Sequence, residues 1–123
     1  VLVRGGQVLA TRRSRPASLA GRWEFPGGKV DEGESFRDAL ARELDEELDV
    51  RVEVGDELAS TSGYWPIDET HRMRAFWCRS TGDPVPGDSH DLVRWVCPDQ
   101  LWRLDWLPAD IAIASAIALA LTE

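Results

Sequence analysis

One segment places acidic side chains where a helix of a globular domain should be apolar. Residues 28–50 read GKVDEGESFRDALARELDEELDV, and apolar residues recur at every fourth position, which predicts a helix over 35–48. These apolar residues are Phe36, Leu40, Leu44 and Leu48. At about 100° per residue, Glu47 falls inside the apolar stripe, and Glu43 and Glu46 lie beside it. A solvated acidic face would lie opposite the stripe, so these carboxylates are expected at the edge of the buried face.

Crowded carboxylates at this edge need positive charge nearby. Like charges at i and i+4 repel, and partial burial adds a desolvation cost. Arg37 and Arg42 can supply part of the compensation, and a hard divalent cation such as Mg²⁺ fits carboxylate oxygens better. Taken alone, the pattern also fits an ordinary charged helix surface. Ser35 is expected to cap the helix with Asp38 at its third position, and the helix is expected to end near Asp49.

Composition excludes several classes of partner. The 123 residues fit one compact domain, which we place over 1–123. There are 22 acidic and 14 basic residues, so a nucleic-acid polymer is not an expected partner. No apolar run reaches the roughly 18 residues that a membrane span requires. Cys78 and Cys97 lie in apolar runs and are predicted to be buried free thiols, which favours a reducing, cytoplasmic setting.

The order of predicted elements indicates the fold class. Strands are predicted over 1–3, 8–10, 23–25, 50–54, 58–64, 71–79 and 92–96. Arg12 and Arg13 are expected to follow the second strand and lead into a loop. A helical turn is expected from Pro98, and a final helix over 109–121 with Ile111 on its core side. Because strands and helices do not alternate regularly, we predict an α/β fold of the α+β type, with a mixed β-sheet sandwiched between two helices.

The acidic segment resembles a known family signature. Gly28, Glu34 and the run RELDEELDV over 42–50 match the Nudix box, G-x5-E-x7-R-E-U-x-E-E-x-G-U, where U is a bulky aliphatic residue. Asp49 is the one departure, since the family usually has Gly there, and we expect Asp49 to take the left-handed conformation in its place. The approach WEFPGG over 23–28 is similar to the MutT branch, which hydrolyses nucleoside triphosphates.

The resemblance implies a role for each matching residue. Glu43, Glu46 and Glu47 would bind Mg²⁺, with Mn²⁺ as the alternative, and one of the three would act as general base. The remaining positions would orient, ligate or bind substrate. They are Arg42 as the orienting arginine, Glu34 as a brace for the loop, Gly27 or Gly28 as a carbonyl ligand of the metal, and Arg13, Glu24, Phe25, Pro26 and Gly27 in substrate binding. For Arg13, a surface charge on a strand is an equally open interpretation.

Base recognition is expected at the start of the last helix. MutT-like proteins place an Asn or Asp there against the base, and this chain has Asp110. An ionised carboxylate suits the cytosine amino group, whereas a protonated one also donates and suits an oxidised guanine. A helix N-cap is the alternative role for Asp110. His71 and His90 have no partner at ligand spacing and are interpreted as ordinary residues.

These features predict a Mg²⁺-dependent hydrolase that converts nucleoside triphosphates to monophosphate and pyrophosphate. The expected substrates are of the CTP or dCTP type, or oxidised nucleotides such as 8-oxo-dGTP, which would make the enzyme a nucleotide-pool sanitiser. One alternative is a Nudix hydrolase of ADP-ribose or another nucleoside diphosphate derivative. The other is a nucleotide-sensing Nudix module without turnover. We expect no membrane partner, and a monomer or homodimer.

Overall fold

The computed structural model describes residues 1–27, 30–60, 64–67 and 72–122. Within these ranges the chain forms short and long strands, two α-helices and one 3₁₀ turn. The strands are β1 (Val3–Arg4), β2 (Gln7–Arg13), β3 (Trp23–Glu24), β4 (Val52–Leu58), β5 (Trp65–Pro66), β6 (Arg72–Met73), β7 (Ala75–Ser80) and β8 (His90–Val96). The helices are α1 (Phe36–Leu48) and α2 (Pro108–Thr122), and the 3₁₀ turn covers Pro98–Arg103.

Strand β2 organises the main sheet, since it pairs antiparallel with β1, β3 and β8. Its Val8 and Ala10 belong to the core that packs on α2, whereas Leu9 belongs to the core that packs on α1. Successive side chains of a strand point to opposite faces, so the sheet lies between the two helices. Two further pairs, β4 with β7 and β5 with β6, are also antiparallel, and a parallel bridge joins Leu2 to Cys78. The predicted mixed sheet between two helices is confirmed.

Helix α1 begins and ends as the sequence predicts. The Ser35 hydroxyl accepts a hydrogen bond from the Asp38 amide at 3.1 Å, which satisfies one of the donors left open at a helix start. Asp49 ends the helix in the left-handed conformation, with φ 51° and ψ 44°. Leu44 and Leu48 are fully buried, whereas Phe36 at the first turn is 45% exposed.

Four other sequence expectations need correction. β2 continues through Arg13, so Arg12 and Arg13 belong to the strand and do not follow it. No separate strand follows at 59–60, because Leu58 ends β4, while residues 61–63 of the strand predicted over 58–64 lie outside the described ranges. Ile111 is 54% exposed and does not lie on the core side of α2. The expectation fails because α2 is apolar on all sides, so periodicity cannot identify its buried face. Cys97 is exposed, and only Cys78 is a buried thiol as predicted.

Neither helix of the described part combines the length and apolar character that a bilayer span requires.

The segment before β8 packs closely on the end of α1. The Val85 amide donates to the Leu48 carbonyl at 2.8 Å, and a Cβ built on Gly87 would lie 2.5 Å from the Glu47 carbonyl oxygen. Glycine is therefore required at position 87 for the backbone of the acidic helix to approach this segment.

Substitution of Gly87 tests this close approach. We expect Gly87→Ala to lower the free energy of unfolding by about 1–3 kcal/mol, because the added methyl group meets a backbone carbonyl that cannot rotate away. Gly82→Ala is the matched control, since a Cβ there has no heavy atom within 4 Å and should change stability by less than about 0.5 kcal/mol. Urea denaturation measures both values. Equal stability of the two variants would contradict the contact.

Candidate active site

Arg42 gathers the acidic residues of α1 and of the preceding loop. Its Nε and Nη2 donate to the two carboxylate oxygens of Glu34 at 2.8 and 2.9 Å, and its Nη1 donates to Glu43 and Glu46, both at 3.1 Å. Glu34 also accepts from the Asp31 amide at 2.9 Å, which ties the loop to the helix. The hydrogen bond from Arg42 holds the pKa of Glu34 below its usual range. Arg42 therefore orients two of the three predicted metal ligands.

Glu47 lies in a different environment from its two neighbours on the helix. The pKa of Glu47 is raised to about 7, mainly by burial and in smaller part by the negative charges of Glu43 and Glu24. The positive charges of His90, when protonated, and of Arg13 act in the opposite direction. The position that the sequence places inside the apolar stripe is thus a half-buried carboxyl group whose ionised form is disfavoured mainly by loss of solvent.

The donor set suits a divalent cation in chemistry but is not preassembled. Carboxylate oxygens are ligands that Mg²⁺ prefers, and a cation beside Glu47 would stabilise the ionised carboxylate that burial disfavours. Among the described residues, no group of three His, Cys, Asp or Glu side chains is close enough to hold a metal ion. Arg42 holds Glu43 and Glu46 in the present arrangement. Gly27 lies against Leu40 of α1, and Gly28 is outside the described residues.

A second group of charges forms on the main sheet beside the acidic helix. Glu24 Oε1 accepts from Arg13 Nη1 at 3.0 Å and lies 2.7 Å from His90 Nε2. The Arg13 guanidinium also donates from Nε and Nη2 to the Arg15 carbonyl oxygen. Since guanidinium has five N–H donors, two donors of Arg13 have no partner among the residues that the structure describes and can serve a ligand. The structure therefore places the predicted Arg13 and Glu24 in direct contact.

Asp110 is a buried carboxyl group at the first turn of α2. It is 6% exposed, and its side chain makes no hydrogen bond to the described residues. Burial raises the pKa of Asp110 to about 7, and the charge of Glu24 adds to the shift. Because α2 begins at Pro108, Asp110 is already inside the helix and is not its N-cap. A buried carboxyl group without a partner is costly unless something else binds it.

Phe25, which is expected in substrate binding, and Phe76 have different environments. Phe25 is partly buried and stacks on Trp106, with ring centroids 4.4 Å apart. Pro26 is buried next to it in the chain. Phe76, at 3% exposure, belongs to the core. Phe25 and Pro26 are therefore the two apolar candidates next to Glu24, while Phe76 serves packing.

A cavity of about 750 Å³ lies elsewhere, between the 3₁₀ turn and α2. It is lined by apolar residues such as Leu104, Trp106 and Ile111, and none of the three acidic residues of α1 lines it. Its location is therefore separate from the carboxylate group, and the chemistry of the site rests on the acidic helix and the sheet beside it.

His90 is the residue of this site that the sequence does not reveal. Its side chain is 1% exposed and contacts Glu24, although the sequence indicates an ordinary residue. The two residues are 66 positions apart in the chain, and no spacing motif connects them. Only the pairing of β8 with β2 and of β2 with β3 brings them together. His71 lies outside the described residues.

Comparison with known proteins identifies the family of the chain. The NUDIX domain family matches residues 1–116. A protein of Mycobacterium tuberculosis (strain CDC 1551 / Oshkosh) named "Putative 8-oxo-dGTP diphosphatase 2" is 42% identical over 116 residues, which cover 89% of this chain and 77% of that protein. The CTP pyrophosphohydrolase of Escherichia coli K12 is 33% identical over 116 residues, which cover 94% of this chain and 85% of the relative.

A solved structure shares the fold across nearly the whole chain. The solution structure of the E. coli ORF135 protein superposes with a TM-score of 0.78 at 31% identity, and the match covers 99% of this chain and 86% of the other. The resemblance to Nudix hydrolases that the acidic segment indicates is confirmed by these matches. The chain belongs to the NUDIX domain family of hydrolases.

Proposed function

We propose that this chain hydrolyses nucleoside triphosphates to nucleoside monophosphate and pyrophosphate. The observation that carries the proposal is the half-buried Glu47 beside Glu43 and Glu46 on one helix, in a chain whose relatives are named for cleavage of 8-oxo-dGTP and CTP. A triphosphate is strongly anionic, so a chain with a formal net charge of -8 needs a cation to bind it through carboxylates.

Glu43, Glu46 and Glu47 are the residues that would hold that divalent cation, with the Gly27 carbonyl as a further ligand. We infer Mg²⁺, with Mn²⁺ as the alternative, because the donors are hard oxygen atoms. When bound, the metal would neutralise phosphate charge and make water a better nucleophile. Arg42 pairs with Glu43 and Glu46, and the cation would compete with Arg42 for these two carboxylates.

The sheet side of the site would bind the rest of the nucleotide. Arg13 has two N–H donors left for phosphate oxygens, and Glu24 fixes the direction of its guanidinium. Phe25 and Pro26 offer apolar surface for the nucleoside. We propose Glu47 as the general base among the three glutamates. The activity of the Glu47→Gln variant tests this assignment.

Asp110 is proposed to recognise the base. Its pKa of about 7 means that both the ionised and protonated forms are populated near neutral pH. The ionised form accepts from a cytosine amino group, and the protonated form also donates, which suits an oxidised guanine. Substrates of both kinds, CTP or dCTP and 8-oxo-dGTP, therefore fit the same carboxyl group. This would place the enzyme in nucleotide-pool sanitation.

Product analysis tests the reaction itself. Purified protein with Mg²⁺ is incubated with a panel of normal, methylated and oxidised nucleoside triphosphates and with ADP-ribose. Release of pyrophosphate and monophosphate supports the proposal. Release of AMP from ADP-ribose alone would identify the alternative hydrolase, and tight nucleotide binding without any product would identify a sensing module. Four further expectations stay predictions. They are that the substrate is a free nucleotide and not a nucleic-acid polymer, that the protein is a monomer or homodimer, that it is located in the cytoplasm, and that residues 1–123 form a single domain.

Glu47→Gln tests the role of the half-buried carboxyl group. We expect kcat/KM for triphosphate hydrolysis to fall by at least about 100-fold, since the substitution removes a ligand and the proposed base while keeping the side-chain shape. Asp45→Asn is the matched control, because Asp45 is an exposed acid on the same helix. Pyrophosphate release and circular dichroism measure activity and folding. Unchanged turnover in Glu47→Gln would refute the assignment.

Asp110→Asn tests the protonation of the buried carboxyl group. Asp110 binds its proton more tightly in the folded state, since its pKa rises from 3.8 to about 7. Between these two values the folded protein holds more protons than the unfolded chain, so the free energy of unfolding falls as pH rises and levels off above about pH 7. Asparagine does not ionise, so the variant lacks this decrease in the free energy of unfolding, which amounts to at most about 4 kcal/mol.

Urea denaturation between about pH 4 and about pH 8.5, which covers the window of this titration, measures the difference. The gap in stability between Asp110→Asn and the wild type should grow with pH up to about pH 7 and stay constant above it. Asp56→Asn changes an exposed carboxyl group and serves as the control. Parallel curves for wild type and Asp110→Asn would show that Asp110 stays ionised in the folded protein.

A further inference from the structure

Three adjacent strands each contribute one side chain to a charged row across the main sheet. Arg13 is on β2, Glu24 is on β3, and His90 is the cross-strand partner of Arg13 on β8. The pairing of β2 with β8 shifts register between Arg12 and Arg13. Such an irregularity changes the direction of a side chain. Here Arg13 and His90 both contact the same carboxylate oxygen, Oε1 of Glu24.

The environment of His90 is unusual for a residue with only a packing role. Its side chain is 1% exposed, its Nε2 is 2.7 Å from Glu24 Oε1, and its Nδ1 is buried without a hydrogen-bond partner among the described residues. An ionised carboxylate only accepts hydrogen bonds, so Nε2 carries the hydrogen. A buried polar atom without a partner is rare and destabilising, so its retention needs an explanation.

Glu24 occupies a central position in the proposed site. Its charge acts on Glu47 of the acidic helix and on Asp110 of α2, so it is electrostatically coupled to the proposed metal end and to the proposed base end. Oε1 accepts from both Arg13 and His90, and Oε2 makes no hydrogen bond to the described residues. The orientation of the Glu24 carboxylate therefore determines its contact with Arg13 and the direction from which Oε2 can accept a hydrogen bond.

We propose that His90 is a positioning residue for nucleotide binding: by donating from Nε2 it fixes the Glu24 carboxylate, and through it the Arg13 guanidinium that faces the phosphates. This inference rests on the proposed function for its consequence in catalysis. Its structural part, the donation from Nε2 to Glu24, does not depend on any activity. Phosphate binding is the step that it should affect, because Arg13 contacts phosphate in the proposal and the acidic residues of α1 are left in place.

The tautomer of His90 gives a test that needs no substrate. Long-range proton–nitrogen correlation spectra at pH 8 distinguish an imidazole with hydrogen on Nε2 from one with hydrogen on Nδ1. The chain has 2 histidines, so the signals lost in His90→Gln belong to His90. We expect hydrogen on Nε2 in the wild type. A ring with hydrogen on Nδ1 would overturn the proposal, whatever the enzyme hydrolyses.

Kinetics of paired variants test the consequence for binding. His90→Phe keeps a ring of similar size but removes the donor, and we expect KM for the triphosphate to rise about 10-fold to 100-fold, the range for loss of a hydrogen bond to a charged group. We expect kcat to change less than about 3-fold. His90→Gln retains a donor and should recover most of the lost affinity. Asp91→Asn is the control on the exposed face of β8, where Asp91 pairs with Arg12.

A double-mutant cycle with Glu24 separates positioning from packing. If His90 acts through Glu24, His90→Phe should raise KM less than about 2-fold in a Glu24→Ala background. An equal loss in both backgrounds, or a fall in kcat and folded fraction without recovery in His90→Gln, would overturn the proposal. If the wild type hydrolyses no triphosphate, the proposed function fails, while the tautomer measurement still decides whether His90 holds Glu24.

Discussion

The site depends on negative charge that is crowded into a partly buried place. Glu43, Glu46 and Glu47 share one side of α1, and Glu24 on the sheet adds its charge to that of Glu47. Arg42 balances part of it by contacting Glu43 and Glu46, but Glu47 remains with a pKa raised to about 7. Burial of these carboxylates lowers the stability of the protein, and a cation bound together with a polyphosphate would offset that cost.

The fold creates this place by bringing distant segments to both sides of the acidic helix. Val85 and Gly87 press the segment before β8 against the end of α1. Strand β2, paired on both sides, carries Arg13 towards Glu24 and His90. The sheet between two helices has the proposed metal ligands of α1 on one side and the buried carboxyl group of Asp110 on α2 on the other, with Glu24 electrostatically coupled to Glu47 and Asp110.

Local interactions are what the sequence predicts well. Ser35, Asp38 and Asp49 define the ends of α1 through contacts within a few residues, so their pattern is sufficient. The Nudix signature likewise identifies the family from one continuous segment. The buried side of α2 cannot be predicted in this way, because Ile111 and Ile113 are equally apolar and only the tertiary packing leaves the first exposed and the second buried.

Contacts between distant strands are also invisible to sequence patterns. Arg13 lies in the middle of the polar run TRRSR over 11–15, which is typical of a loop, yet pairing with β8 extends the strand through it. His90 has no sequence partner at a meaningful spacing, and its contact with Glu24 follows only from the order of strands in the sheet. The protonation of Glu47 depends on burial and on charges from the sheet, which a helical pattern alone does not contain.

The central claim is that the carboxylates of α1 hold a divalent cation, and anomalous diffraction tests it most directly. A crystal grown with Mn²⁺ and a non-hydrolysable triphosphate should show a manganese peak bound by oxygens of Glu43, Glu46 and Glu47, with Arg42 displaced from at least one of the first two. If the phosphates are ordered while Glu43 and Glu46 stay on Arg42 and no manganese lies beside Glu47, the account is contradicted.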